Sequence, residues 1–435
     1  MPLLKNSNQM KIKYFTFVFL LSLGSNLFSQ NDNQENVPYE WDFSKYRFGG
    51  YAEMLYQHMD YGADRYKAPT GSPSDKRSYI SIPRAIFALD YKFRDDIVLG
   101  TEIEFEYGGT GAAMELEYEE GGEYEMEIEK AGEVVLEQFH ITKRFANWFN
   151  VRAGHMIVPI GITNAHHEPI FFFGTVRPEG ETMILPSTWH ENGISVLGYL
   201  PKIGLKYELM MVNGLDPNGF SSINWIKEGK QGIFEQSVMT SPAFVGRVEY
   251  SGIKNLRLGL SGYYNKTSKN ASKPEKLADI KAPVTIGTFD AQYLNKNMAI
   301  RTNLVYGNLG DSKRLSKINS TISKNTNFPR TPVAKNALTY SIEAGYNVLS
   351  FFNKKEKLMP FARYEYYNSA HAMEEGMAEM PINRRDVWTF GFNYNLLPNM
   401  VIKADYSMRI LDKGNYNQEN TFGIALAYTG WFIKK

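Results

Sequence analysis

The sequence predicts an all-β fold, a transmembrane antiparallel β-barrel of about 16 strands with short periplasmic turns and long extracellular loops. Three observations predict it. Strand-like segments with alternating apolar and polar residues fill the chain after its N-terminal region. The connections between these segments alternate between short and long. A brief apolar run near the start has the length of an export signal and is too short for a membrane-spanning helix.

The composition narrows the function classes before any motif is considered. The 435 residues include no cysteine, which excludes thiolate catalysis, disulfides and cysteine-ligated metals. The formal charge of +1 gives no argument for nucleic-acid binding, and we expect none. Aromatic residues make up 14% of the chain although its mean hydropathy is −0.37. This combination is typical of strands with one apolar and one polar face.

The first 30 residues have the features of a signal peptide. Lys11 and Lys13 precede the apolar run 14–23, and the small and polar stretch 24–30 follows it. The alternative is an N-terminal helix of a cytosolic protein. Beyond this run no stretch approaches the roughly 20 apolar residues of a membrane-spanning helix.

Three regions follow from this interpretation: a signal peptide over 1–30, a polar linker over 31–44 and an outer-membrane barrel over 45–435. We expect export and then insertion into the outer membrane of a Gram-negative bacterium. A tilted strand crosses such a membrane with about 9–11 residues. We expect strands near 46–57, 78–93, 97–107, 134–145, 148–158, 192–200, 203–213, 242–251, 255–265, 284–294, 297–308, 337–349, 358–369, 384–395, 399–411 and 419–432.

The connections between the strands carry the strongest signal. The short ones are 94–96, 146–147, 201–202, 252–254, 295–296 and 396–398. The long ones are 58–77, 108–133, 159–191, 214–241, 266–283, 309–336 and 370–383. Outer-membrane barrels have tight periplasmic turns and long extracellular loops, whereas a soluble β-sandwich has no reason to alternate in this way. The turn 350–357 is longer than the other short ones, and the last outer loop, 412–418, is brief.

Alternation within the strands assigns their two faces. In 399–411, Ile402 and Tyr406 share one face, and Lys403 and Asp405 share the other. A charged face is too costly against lipid and must line water. The alternative is a soluble antiparallel sheet with one wet face. A barrel of this strand number is expected to enclose a water-filled channel.

One stretch resembles a known family. Glu137-Gln138-Phe139 precedes an Arg-x-Gly-x-x-x-x-Pro-x-Gly pattern at 152–161, and Asn192-Gly193-Ile194-Ser195-Val196-Leu197-Gly198 follows a long loop. These residues are similar to the phosphate-selective porin O and P family, in the form common in Bacteroidetes-type outer membranes. The resemblance implies a sixteen-stranded porin, commonly trimeric, whose third extracellular loop folds inward. It also implies passive diffusion of small anions.

The third long loop, 159–191, is where such a constriction is expected. Its candidate residues are His166, His167, Glu168 and Arg177. The run 171–173 consists of three phenylalanines, which would be a liability if exposed, so we expect the loop to pack inside the barrel.

Charged residues on the polar strand faces are candidates for the pore lining. We expect this lining to include Arg84, Glu102, Glu104, Arg152, Arg247, Arg301, Arg363, Lys403 and Arg409. Guanidinium groups suit phosphate, and rings of Arg and Lys favour anions. The same faces also carry carboxylates, so the alternative is a hydrated wall of compensating charges with weak selectivity. Phosphate selectivity is therefore not transferred from the family.

A metal site and an active site are not expected. The adjacent His166 and His167 point to opposite sides of an extended chain, and no third ligand lies nearby in the sequence. A polar loop without a metal is the simpler interpretation, and no cofactor is implied. No Gly-x-Ser-x-Gly, His-Glu-x-x-His or Walker pattern occurs, so we expect no enzyme.

The acidic stretch 114–129 predicts a hairpin within the second long loop. Its register sets Glu117 opposite Glu125 and Glu115 opposite Glu127, and facing carboxylates destabilise a hairpin. Two interpretations stay open: docking to lipopolysaccharide or a neighbouring subunit with help from divalent cations, or a solvated acidic loop.

The sequence is consistent with two functions. The first is a porin for passive diffusion of small hydrophilic solutes, including anions such as phosphate, that contacts lipid and lipopolysaccharide as a homotrimer. The second is a non-transporting structural or adhesive barrel whose lumen is plugged by its loops.

Overall fold

The computed structural model describes residues 43–60, 76–109, 113–118, 124–129, 132–231, 236–322, 331–352, 354–411 and 418–435. The strands in these ranges are β1 (Tyr46–Met59), β2 (Arg77–Arg94), β3 (Ile97–Glu106), β4 (Ala113–Tyr118), β5 (Tyr124–Glu129), β6 (Glu133–Ala146), β7 (Phe149–Ile157), β8 (His190–Leu200), β9 (Leu205–Val212), β10 (Ala243–Ile253), β11 (Leu256–Lys266), β12 (Pro283–Leu294), β13 (Met298–Leu309), β14 (Asn336–Tyr346), β15 (Lys357–Ala372), β16 (Arg384–Leu397), β17 (Met400–Leu411) and β18 (Gln418–Lys434).

The helices are short and lie in the connections. The α-helices are α1 (Ile162–Ala165), α2 (Glu179–Ile184) and α3 (Ser312–Ile322). The 3-10 helices are Pro169–Phe171, Pro217–Gly219, Lys227–Gly229, Thr267–Asn270, Pro274–Leu277, Val348–Phe352 and Pro381–Asn383. Within the described part of the chain, no helix is long and apolar enough to cross a membrane.

Over the described residues, 16 strands form one closed antiparallel barrel. Each strand pairs with the next along the chain, except that β3 pairs with β6 and β1 closes the barrel against β18. Closure leaves no free strand edge, so the backbone groups of every barrel strand find partners that lipid does not provide. The predicted fold class is confirmed.

Each predicted strand corresponds to one barrel strand, with ends that differ by a few residues. The largest extensions are at β15, which runs over 357–372 instead of 358–369, and at β18, which runs over 418–434 instead of 419–432. The turn that was predicted to be longer than the other short ones contains the 3-10 helix Val348–Phe352. Residues 1–42 and 412–417 are not among those described, so the signal peptide, nearly all of the linker and the last outer loop remain predictions.

The barrel hides charge and exposes apolar side chains, as the strand alternation predicts. On β17, Lys403 and Asp405 are buried inside, whereas Tyr406 and Ile410 are exposed outside. Leu426 on the neighbouring strand is 47% exposed. An apolar outer surface around a polar interior is the reverse of a soluble protein and matches a lipid-facing band.

An apolar cluster fills part of the interior at the end of the barrel that carries the long loops. We call it the interior apolar cluster and define it by Ile184, Trp189, Leu215, Phe220 and Trp225, each 0% exposed. These residues come from two segments, the connection between β7 and β8 and the connection between β9 and β10. The long connections therefore pack inside the barrel and share a dry core there.

The acidic hairpin forms a separate two-stranded sheet, β4 with β5. Its backbone register places Glu117 opposite Glu125 and Glu115 opposite Glu127. The predicted register is confirmed. The turn residues 119–123 lie outside the described part of the chain.

Candidate channel constriction

The connection between β7 and β8 leaves the wall and enters the barrel. We call residues 158–189 the constriction loop, because β7 ends at Ile157 and β8 begins at His190. The N–H of Val158 donates to the carbonyl of Trp189 across 2.7 Å, which closes the base of the loop. The structure therefore places this loop at 158–189 instead of the predicted 159–191.

A glycine turns the loop inward. Gly161 has φ of +82°, and a Cβ added there would lie 1.9 Å from Oε1 of Glu181. A side chain at this position would be strained and would also clash. The last glycine of the Arg-x-Gly-x-x-x-x-Pro-x-Gly pattern is thus required so that α1 and α2 can pack together.

Lys403 on β17 holds the first half of the loop. Its Nζ donates to the carbonyls of Pro169, Phe172 and Gly174, at 2.5, 2.8 and 3.0 Å. The ammonium also lies 4.0 Å from the centre of the Phe172 ring. An ammonium has three donors, so this buried lysine donates all three of its hydrogen bonds to backbone carbonyls of the loop.

Two further residues of β17 hold the middle of the loop. Asp405 accepts hydrogen bonds from the N–H of Thr175 at 2.5 Å and from its hydroxyl at 3.2 Å. Arg409 forms an ion pair with Glu179, the first residue of α2. The inward face of one strand therefore fixes the loop at three successive points.

Helix α2 is fixed to the neighbouring part of the wall. The N–H of Gly180 donates to Glu365 on β15 at 3.2 Å. Glu181 accepts from the amide of Asn303 on β13 at 2.6 Å and from the N–H of Thr163 in α1 at 2.9 Å. Burial raises the pKa of Glu181 to about 7, although both hydrogen bonds act in the opposite direction.

The loop also reaches the opposite wall through its two histidines. Nε2 of His166 lies 3.1 Å from Glu249 on β10, and Nε2 of His167 lies 3.5 Å from Glu137 on β6. Their side chains diverge, as predicted. Burial lowers the pKa of His166, and the guanidinium of Arg257 lowers it further. Burial also disfavours charge on His167, but nearby carboxylates, Glu137 foremost, outweigh burial and raise its pKa.

The arginines that were predicted to line a pore face the barrel interior and are paired. The ion pairs are Arg84–Glu53 at 2.9 Å, Arg152–Glu208 at 3.7 Å, Arg247–Asp290 at 2.9 Å, Arg301–Glu343 at 3.1 Å, Arg363–Glu365 at 2.8 Å and Arg409–Glu179. Glu104 is buried, and Glu102 is half-buried. The interior is a set of compensating charges, and whether these residues line an open path stays a prediction.

A gap remains between the constriction loop and the wall of β13 and β14. Its lining includes His166, Phe171, Arg301, Ser341 and Glu343. The side chain of Arg301 keeps 12% of its surface exposed, compared with 1% for Arg363. This gap therefore contains a partly accessible guanidinium group.

The remaining predicted loop residues have local roles. Arg177 donates to the hydroxyl of Thr188 at 3.0 Å and stays within the loop. Glu168 is half-buried and immediately precedes a 3-10 helix. Phe172 and Phe173 are buried, as expected, whereas Phe171 is 36% exposed, contrary to the expectation for the whole run.

The sequence analysis missed several residues that fix the loop. Thr175, Glu179 and Glu181 meet partners more than 100 residues away in the chain. No local pattern signals such contacts, because barrel closure alone brings these segments together. The acidic character of 179–181 was the only available sign.

The sequence places no further ligand near the histidine pair, but the fold brings two carboxylates beside His167. Glu102 on β3 and Glu137 on β6 lie beside His167, and one ligand atom from each falls within 4.8 Å of the other two. The strands β3 and β6 are neighbours only because the hairpin between them leaves the barrel.

Comparisons with known proteins agree with this architecture. No family model matches the chain. A protein of Aquifex aeolicus (strain VF5), described only as uncharacterized, is 27% identical over 368 residues, which cover 82% of this chain and 74% of that protein. The outer-membrane channel DcaP of Acinetobacter baumannii is 12% identical with a TM-score of 0.52, covering 88% of this chain and 97% of that one.

Two further solved structures have the same fold. The anion-selective porin from Comamonas acidovorans is 11% identical with a TM-score of 0.52, covering 88% of this chain and 99% of that one. OmpF of Salmonella typhi is 11% identical with a TM-score of 0.53, covering 88% of this chain and 97% of that one. The chain has the porin fold. At these identities the likeness shows the fold alone.

Proposed function

We propose that this protein is an outer-membrane channel for passive diffusion of small hydrophilic solutes. The observation that carries the proposal is the constriction loop, which crosses the interior of a closed porin-fold barrel and is fixed to its walls. A loop held at β10, β13, β15 and β17 narrows the passage without a moving part. It would set the size limit for solutes.

We propose weak charge selectivity for this channel. Each predicted arginine of the wall has a carboxylate partner, so the wall has little net field of one sign. Arg301 at the gap is the candidate contact for a small anion such as phosphate, because part of its guanidinium surface remains accessible. The porin from Comamonas acidovorans is described as anion-selective, which keeps an anion preference open for this chain.

The proposed location is the outer membrane of a Gram-negative bacterium, after cleavage of the signal peptide 1–30. The exposed apolar band supports contact with lipid, and we propose lipopolysaccharide as a neighbour of the long loops. A homotrimer is the proposed assembly, as the family resemblance implies.

A second candidate function is a non-transporting structural or adhesive barrel. The interior apolar cluster favours it, since five side chains without exposed surface occupy space that an open pore would need. A dry core at the long-loop end also anchors loops that are suited to contact other surfaces.

The deciding experiment is a planar-bilayer recording of the refolded protein under a salt gradient. The proposal predicts stable unitary conductance with a small reversal potential. Addition of phosphate should reduce chloride current, and the reduction should weaken in Arg301→Gln but not in Arg94→Gln, a change at the exposed end of β2. Folded protein that gives no conductance would refute the channel and favour the plugged barrel.

A further inference from the structure

Three ligand-type side chains meet where the constriction loop touches the wall at β3 and β6. Glu102, Glu137 and His167 each offer an atom within 4.8 Å of the others. Glu137 is 0% exposed and His167 is 7% exposed. Two carboxylates and one imidazole form a ligand set that divalent first-row metals such as Zn²⁺ accept.

A β-bulge creates the carboxylate pair. Glu102 pairs with Gln138 and Ile103 pairs with Leu136, so Glu137 is an extra residue without a partner on β3. Because of the bulge, the side chains of Glu137 and Gln138 both lie on the interior side of the wall beside Glu102. Bulges are frequent next to functional sites because they redirect a side chain.

The imidazole is oriented as in known metal sites. Nδ1 of His167 lies 3.2 Å from the carbonyl oxygen of Asn164. A carbonyl only accepts, so Nδ1 carries a proton and donates, which leaves Nε2 facing Glu137 and, in the neutral ring, available as a metal ligand. Metal-binding histidines usually donate their other ring N–H to such an acceptor.

Both carboxylates are oriented through their second oxygen. The hydroxyl of Tyr51 donates to Oε2 of Glu137 at 3.2 Å. The amide of Gln138 donates to Oε2 of Glu102 at 2.6 Å. Each ligand group is therefore supported from outside the cluster, an arrangement that fixes ligand geometry in metal proteins.

The most informative atom is Oε1 of Glu137. It is buried and receives no hydrogen bond, and it lies 3.5 Å from Nε2 of His167. Two ligands of one tetrahedral ion, each about 2.1 Å from it, lie about 3.4 Å apart. The two atoms are thus spaced as neighbouring ligands of one ion, with Glu102 as the third and a fourth position for water or solute.

We propose that Glu102, Glu137 and His167 bind one divalent transition-metal ion, with Zn²⁺ as the representative. The wall supplies two ligands and the constriction loop supplies one. A bound ion therefore fastens the loop to the wall at β3 and β6 and makes the passage responsive to the metal. Metal binding at this site does not require the channel function, whereas its effect on passage rests on that proposed function.

The test uses refolded, lipopolysaccharide-free full-length protein with Zn²⁺. After gel filtration, elemental analysis should find one zinc per chain in the parent protein and in His166→Asn, whose ring faces Glu249 instead. His167→Asn and Glu137→Gln should retain less than a tenth of this zinc. Glu102→Gln serves as a further variant if one of these does not reach the heat-modifiable folded form.

A second readout follows the loop itself. Zinc should slow protease cleavage within 158–189 in the parent protein and leave it unchanged in His167→Asn. Equal zinc content in parent and His167→Asn, or no stoichiometric zinc in the parent, would overturn the site. Stoichiometric zinc without any conductance would support the metal site and refute the channel. Conductance without stoichiometric zinc would support the channel and refute the metal site.

Discussion

Lys403 illustrates how single residues shape the interior. Its ammonium would be costly to bury alone, but three carbonyls of the constriction loop surround it. The wall arginines follow the same rule with carboxylates as partners. Charge on the inner faces therefore serves to hold the loop, and a residue's sign alone does not predict selectivity.

Replacement of Lys403 by Met should release the first half of the constriction loop. Three buried carbonyls would lose their donor, and each unsatisfied group costs about 1–3 kcal/mol. We expect cleavage within 158–189 to accelerate at least tenfold and the unitary conductance to rise. Lys254→Met, in an exposed turn, is the matched control. Cleavage rates that are equal in both variants would contradict the anchoring role.

At the scale of elements, the short loop helix α2 depends on the barrel strands that it contacts. Helix α2 has only six residues and would not persist alone in water. Its contacts with β13 and β15 hold it in place. The bulge in β6 acts similarly, since one extra residue brings a carboxylate to the loop. Short irregular elements position the interior, and the regular strands provide the frame.

The attachment of α2 should weaken as pH rises from about 4.5 to about 7. Glu181 has an unfolded pKa near 4.5 and a folded pKa of about 7, so the packed state binds its proton more tightly. Stability from this group is therefore full below about pH 4.5 and falls until about pH 7, by roughly 3 kcal/mol at most.

Hydrogen exchange of the α2 amides across pH 5–8 measures this effect once the intrinsic rates are corrected. Protection should decline with rising pH in the parent protein and stay flat in Glu181→Gln. Glu228→Gln, in the 3-10 helix Lys227–Gly229, should behave as the parent. A flat profile in the parent would contradict the assignment.

At the scale of the whole molecule, closure between β1 and β18 decides the fold. The seam runs from Arg47 with Lys434 to Met59 with Thr421. Without it, two long edges would present unpaired backbone groups to lipid. Closure also brings β17, near the C-terminus, against a loop from the middle of the chain, so the loop has these contacts only in the complete barrel.

Gly49→Val should impair closure. A Cβ at Gly49 would lie 2.3 Å from the carbonyl oxygen of Gly430 on β18, and backbone in a ladder does not move aside easily. We expect the yield of the heat-modifiable folded form to fall at least several-fold. Gly287→Val is the control, because nothing lies within 4 Å of an added Cβ there. Equal yields would show that the seam tolerates a side chain.

The sequence by itself determined the number of strands, their approximate bounds, the two faces of each strand and the alternation of loops. These features depend on local periodicity and turn residues, which a linear sequence contains. It also determined the register of the acidic hairpin, because facing residues there are close in the chain.

Only the tertiary structure decided what the interior residues do. The pairing of Lys403 with loop carbonyls, of Arg409 with Glu179 and of His167 with Glu137 joins residues that are far apart in the sequence. An inward charge on a strand looks the same in sequence whether it meets water, a carboxylate or a loop. Barrel closure determines which of these partners an inward charge meets, because it brings particular distant segments into the same enclosed space.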